Sequence, residues 1–132
     1  MKNWMRATLW TLIALFILFS VPSPKPSLAM KYYAFNRLYF GHRLPVIIPV
    51  YDKTLDDDII GQTTQDKYGQ FHVRINPKNN STQDEENNTL KHEMCHVETW
   101  VMDDGDGDHG IAFGKCVRRV ADASGVDWTD IY

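Results

Sequence analysis

Three histidines and one glutamate carry the chemistry that this sequence can perform. His92 and His96 stand four residues apart in the run His92-Glu93-Met94-Cys95-His96. On a helix that spacing sets them about 40° apart on one face, one turn from each other. Two imidazoles so placed can share one tetrahedral zinc ion through their ring nitrogens. Glu93 lies about 100° round from His92, too displaced to ligate but close to a water bound beside it. A catalytic zinc takes three protein ligands and keeps one position open. His109 is the best third ligand. It precedes a helix whose apolar face is Phe113, Cys116, Val117 and Val120, and extending that helix backwards puts His109 on the same side. One zinc ion on His92, His96 and His109 is therefore expected, with Glu93 as the general base of a hydrolase.

The elements that must hold these residues can be read outward from them. Thr82-x-x-Glu85 fits a capping box, and the chain is helix-compatible from there to about Val101. Leu90, Met94, Val97 and Val101 form an apolar stripe about 150° from the mean direction of the two histidines. One face is thus committed to a core while the other lines a cleft. Glu93 falls between them, where partial burial raises a carboxyl pKa. The last helix runs from about Gly110 to Ser124 and stops at Gly125. Upstream, Tyr32, Phe35, Leu38 and Tyr39 recur at helical spacing until Gly41. Val46 to Tyr51 is rich in strand formers, with Pro49 marking an edge or irregular strand. Gly61 to Thr64 and Gln70 to Ile75 read as strands joined through Asp66-Lys67-Tyr68-Gly69. In the second strand Phe71, Val73 and Ile75 form a buried face and His72 points the other way. Helix, short sheet, then two helices is an α+β arrangement, with about three mostly antiparallel strands.

Other readings of these residues are weaker. A bare His-x-x-x-His pair is often a surface coincidence, but the second-place Glu, the opposed stripe and the third inward His argue against that here. Asp103, Asp104, Asp106 and Asp108 have spacing like that of a calcium loop, yet its sixth position is not Gly and Lys115 stands where the closing Glu belongs, so a solvated loop is expected. Cys95 points about 100° away from His96, which suits packing rather than ligation. Cys95 and Cys116 are the only cysteines; they either pair or pack as apolar thiols. His42 and His72 are expected to be solvated. Trp100, one turn beyond His96, floors a substrate pocket or belongs to the core.

Bulk composition narrows the partners. Residues Ala7 to Val21 carry no charge, follow Lys2 and Arg6, and precede Ser27-x-Ala29. Residues 1–29 therefore read as a secretory signal or an N-terminal membrane anchor, and residues 30–132 as one exported domain, periplasmic or secreted. That domain has eleven basic and seventeen acidic residues, a formal charge of −6. Nucleic acid is a poor partner for such a surface. Membrane contact is expected only through the N-terminal segment if it is retained.

Taken together, the residues resemble the SprT-like (Spartan-like) family of zincin metallopeptidases over most of positions 33–124. The resemblance rests on Tyr39-Phe40-Gly41-x-Arg43-Leu44-Pro45, on Ile75-Asn76-Pro77, on Thr89-Leu90-x-His92-Glu93-Met94-Cys95-His96, and on His109-Gly110-x-x-Phe113. It implies a minimal zincin-like domain, with His92, His96 and His109 as zinc ligands, Glu93 as catalytic residue, and a protein or peptide substrate. Extended substrate is expected along an exposed strand edge, Gln70 to Ile75, with Tyr68 as a candidate oxyanion stabiliser. Familiar members are cytoplasmic or nuclear, and many carry a cysteine-rich zinc ribbon that this chain lacks. Two rival functions follow: an inactive zinc-binding interaction module, and a DNA-associated protease.

Overall fold

The computed structural model describes residues 22–102 and 109–132. The expected leader up to position 21 and the acidic loop 103–108 lie outside the described residues. Helix α1 (Leu28–Tyr39) is capped by Ser27, whose hydroxyl accepts from the Met30 N–H at 3.2 Å. It therefore starts two residues ahead of position 30, and Leu28 is buried in the core. No helix among the described residues is long and apolar enough to cross a membrane.

Three strands follow: β1 (Val50–Tyr51), β2 (Gly61–Gln65) and β3 (Phe71–Ile75). Their order in the sheet is β1-β3-β2, with β2 antiparallel and β1 parallel to β3. The β2–β3 hairpin pairs Thr63 with Val73 and turns through Asp66 to Gly69, where Gly69 takes φ 79°. The Val46–Tyr51 segment contributes only two strand residues; Pro49 has no N–H to offer a ladder. Strand β3 is central, not an edge. All five of its residues are paired with β2, and Arg74 and Ile75 also with β1. That corrects the expectation that Gln70 to Ile75 would offer a free edge, because strand order is decided by which strands meet, not by their own pattern.

Helix α2 (Gln83–Met102) begins with the capping box in place. Thr82 Oγ1 accepts from the Glu85 N–H at 3.1 Å, and Glu85 Oε2 accepts from the Thr82 N–H at 3.0 Å. Helix α3 (Ile111–Ser124) ends at Gly125 in the left-handed region, φ 70°. Past it lies a short 3-10 helix, Trp128–Asp130, that the hydrophobic pattern did not reveal. The fold is α+β: among the described residues, a mixed three-stranded sheet and three α-helices surround one core. Val73 and Ile75 from β3, Leu90, Met94 and Val97 from α2, and Phe113, Val117 and Val120 from α3 are all at most 1% exposed. Two apolar positions differ from expectation. Leu38 and Val101 are exposed, because α1 buries its Leu28–Tyr32–Asn36 side and the core ends a turn before Val101.

Two of the sequence signatures are structural. Asn36 brackets the turn after α1, donating to the Leu44 carbonyl at 3.0 Å and accepting from its N–H at 3.2 Å. Asn76, fully buried, donates to the Ile59 carbonyl at 2.8 Å, while its own main-chain N–H donates to the Ile60 carbonyl at 2.9 Å. Asn80 donates to the Ile60 carbonyl at 2.9 Å and accepts from the Thr89 hydroxyl at 2.6 Å. These amides tie the entry of β2 to the first half of α2.

Candidate metal centre

The His92–His96 spacing works because the helix is continuous through it. The two imidazole Nε2 atoms are 3.2 Å apart. His109, just ahead of α3, brings its Nε2 to 3.1 Å from that of His92 and 3.0 Å from that of His96. The three expected ligands thus converge, and they form a group that can hold a metal ion. Phe113 supports all three rings: it stacks on His96 at 4.4 Å and meets His92 and His109 edge-on at 4.9 and 4.7 Å. His109 precedes the extended N-cap Gly110, so the turn into α3, and not a backward extension of the helix, brings it to Phe113.

The chemistry of the donors fits a cation. The His92 Nδ1 lies 2.7 Å from the Ile131 carbonyl oxygen. A carbonyl only accepts, so Nδ1 carries the proton and the Nε2 of the neutral ring presents its lone pair to the cluster. Burial depresses the His92 pKa below its ordinary 6.5, outweighing the upward pull of the Ile131 carbonyl, and keeps the ring neutral. Nitrogens bound about 2.0–2.1 Å from a tetrahedral ion are about 3.3–3.4 Å apart, within a few tenths of the observed spacing.

Glu93 is the next residue along and is 2% exposed. Its carboxylate Oε2 accepts from the Thr63 hydroxyl at 2.6 Å, and the same hydroxyl reaches the Glu93 main-chain carbonyl at 3.2 Å. Burial pushes its pKa up to about 7, against the opposing effect of the Thr63 hydrogen bond. On the other side, Gly61 faces the carboxylate. A Cβ there would stand 2.8 Å from Oε1 and 2.8 Å from Thr89 Cγ2. Glycine is needed at position 61 for close approach of strand to helix.

Helices α2 and α3 are joined covalently beside the site by the Cys95–Cys116 disulfide. Cys95 is therefore not a ligand, and the two open alternatives for the thiols resolve to pairing. Trp100 lies 6.5 Å from His96 and 5.8 Å from Phe71, ring to ring, at the edge of the cluster. Other candidates lie apart from it. His42 is exposed and its ring neighbours Tyr33, while His72 is bound to Asp66 at 3.0 Å on the outer face of the sheet. Tyr68 is 77% exposed at the hairpin turn, with the Lys67 ammonium over its ring, and is not brought to the histidines among the described contacts.

Several partners of the site had no signature. Thr63, Gly61, Ile131 and Tyr132 come from the strand and the final turn. The hairpin alternation that puts Phe71, Val73 and Ile75 inward could have placed Thr63 on the helix side, since it pairs with Val73. Nothing local marks the other three.

The geometry defines an α+β domain with a cluster of three imidazoles able to hold a metal ion and an adjoining buried carboxylate. The model of the SprT-like family matches residues 29–130, and the chain belongs to that family. Neither curated proteins nor solved structures provide a match to the chain.

Proposed function

We propose that the protein is a zinc-dependent endopeptidase in which His92, His96 and His109 hold one zinc ion and Glu93 is the general base. The observation that carries this is the convergence of three Nε2 atoms within 3.2 Å of one another beside a buried carboxylate. When bound, such an ion acidifies its water to a pKa of about 7 and polarises a scissile carbonyl. The chain's own groups supply the proton handling. Thr63 occupies Oε2 of Glu93, so Oε1 is the oxygen that accepts the proton of the attacking water and returns it to the leaving amine. Gly61 keeps the space beside Oε1 open. A carboxyl poised near 7 can both take and release a proton at neutral pH. An inactive zinc-binding module would have no use for a buried glutamate beside the site whose carboxylate, among the described residues, meets the neutral Thr63 hydroxyl and no Lys or Arg.

The edge of β2 is the best place for an extended protein substrate. The Asn76 N–H donates to the Ile60 carbonyl and the Asp66 N–H to the Gln70 carbonyl. By antiparallel alternation, Gln62 and Thr64 then face β3, and the main-chain groups of Gly61, Thr63 and Gln65 face outward next to Glu93. A peptide added there would run past the metal site.

For location we propose export, either by a cleaved signal or on a retained anchor within residues 1–29. The basic start with its uncharged stretch to Val21, and a disulfide in the domain, both suit an oxidising compartment. The acidic balance of residues 30–132 speaks against a DNA-associated role.

The test is metal dependence. Full-length protein should degrade an unfolded protein substrate, lose that activity to a chelator and regain it with zinc. His109→Ala should bind zinc far more weakly and stay inactive. Degradation that survives complete metal removal would refute the assignment.

A further inference from the structure

Residues 127–132 follow the last long helix and have no part in the expected site, yet they touch two of its three histidines. The Ile131 carbonyl oxygen is 2.7 Å from His92 Nδ1, across 39 positions of sequence. The Tyr132 ring lies 5.9 Å from the His109 ring and 5.9 Å from Phe113. We propose that Asp127–Tyr132 is a positioning strap of the metal centre, whose Ile131 carbonyl fixes the tautomer and ring orientation of His92. The metal reading above is its premise, but the strap acts on the imidazole itself and is testable without metal.

The strap is built to hold that carbonyl still. Asp127 caps its first turn, accepting from the Thr129 N–H at 2.9 Å and from the Thr129 hydroxyl at 2.7 Å. The Ile131 and Tyr132 N–H groups both donate to the Trp128 carbonyl, at 3.2 and 2.9 Å. The Ile131 side chain is 2% exposed and belongs to the core. Trp128 is pinned from outside by the Arg118 guanidinium, 4.5 Å over its ring. Upstream, Val126 packs on the core and donates from its N–H to the Ala121 carbonyl at 3.2 Å. Core, cap and cation–π contact therefore converge on one carbonyl.

The consequence is chemical. A neutral imidazole exists as two tautomers, and only the one protonated at Nδ1 offers its Nε2 lone pair to a metal. An acceptor fixed at Nδ1 removes the alternative and stops the ring from turning about χ2. Outer partners of ligating histidines typically affect metal affinity by about 10–100-fold.

Two measurements decide this. In the metal-free protein, long-range proton–nitrogen NMR of the imidazoles should find the His92 proton on Nδ1. A proton on Nε2 would overturn the proposal, whatever the outcome of any activity assay. Next, zinc affinity is measured by chelator competition for the full chain, for a chain ending at Asp130 and for Trp128→Ala, each checked for native circular dichroism. Loss of Ile131 and Tyr132 should weaken zinc about 10–100-fold. Trp128→Ala, which loosens the strap but keeps the carbonyl and most of the core, should weaken it several-fold. Unchanged zinc affinity in either folded variant would also overturn the proposal. A full chain that binds no zinc at all, yet shows the Nδ1 proton, would sink the metalloprotease assignment and leave the strap standing.

Discussion

Helix α2 carries three buried carboxylates, and the middle one lives in a different environment from those near its ends. Glu86 and Glu98 are 6% and 7% exposed, Glu93 2%. Glu86 receives the Lys31 ammonium at 2.5 Å and the Tyr51 hydroxyl at 2.8 Å. Glu98 takes the Arg119 guanidinium on both oxygens, at 2.7 and 2.9 Å, and Arg43 at 3.1 Å. Glu93 has the neutral Thr63 hydroxyl and, among the described residues, no cation. The outer two are ion pairs that tie α1 and α3 to α2. Among the described residues the middle one meets no Lys or Arg, which suits the general base proposed for it near neutral pH. Similar burial thus serves architecture in two places and, on the function proposed above, chemistry in the third.

The contrast can be broken from either side. The largest effect is expected at the Glu86 pair, because Lys31 is itself buried. Lys31→Met would leave that carboxylate without its cation and should destabilise the fold by about 3–5 kcal/mol, read by denaturant unfolding. Proteolysis at temperatures where the variant stays folded should be unaffected.

Glu93 should show itself in the pH dependence of the metal-free protein. The folded chain holds its proton up to about pH 7, whereas the unfolded chain releases it near 4.5. Between these values the folded state binds more protons, so its stability falls as pH rises and levels off above 7. The fall should amount to about 3 kcal/mol, at about 1.4 kcal/mol per pH unit. Glu93→Gln should abolish most of that slope; a slope that persists would mean that another group is responsible.

Thr63→Val removes the hydrogen bond that holds the Glu93 pKa down. The pKa should rise further, and the acidic limb of kcat/KM should move to higher pH by about one unit, from a bond worth about 1.5 kcal/mol. An unmoved limb would show that Thr63 only packs. The smallest effect is expected for Arg43→Ala. Glu98 keeps Arg119 on both oxygens, and the Arg43 side chain is half-exposed, so the loss should stay within about 1 kcal/mol with no change in kcat/KM.

The parts of the site that were legible in the sequence are those with local periodicity. His92, Glu93 and His96 share one turn of helix, so helical geometry alone aligns them; His109 lies ahead of the extended N-cap Gly110, and the turn into α3 brings it to them. The Thr82–Glu85 capping box is local in the same sense. What was not legible comes from distant chain segments. Gly61, Thr63 and Ile131 lie 32, 30 and 38 positions from Glu93, and nothing at those positions announces that strand or strap will meet the helix. The stripe including Val101 has the right phase and the wrong extent, because a helix's periodicity does not say where its neighbours end; the aromatic face including Leu38 is off in phase, since α1 buries its Leu28–Tyr32–Asn36 side. The central place of β3 and the pairing of Cys95 with Cys116 likewise depend on which elements come together.

The division of labour between three imidazoles and one carboxylate is tested most directly in Glu93→Gln, assayed side by side for zinc content and for degradation of an unfolded protein. The variant should retain one zinc ion per chain and lose activity by about 10²–10⁴-fold, the usual worth of a positioned general base. Full zinc with undiminished degradation would contradict the account.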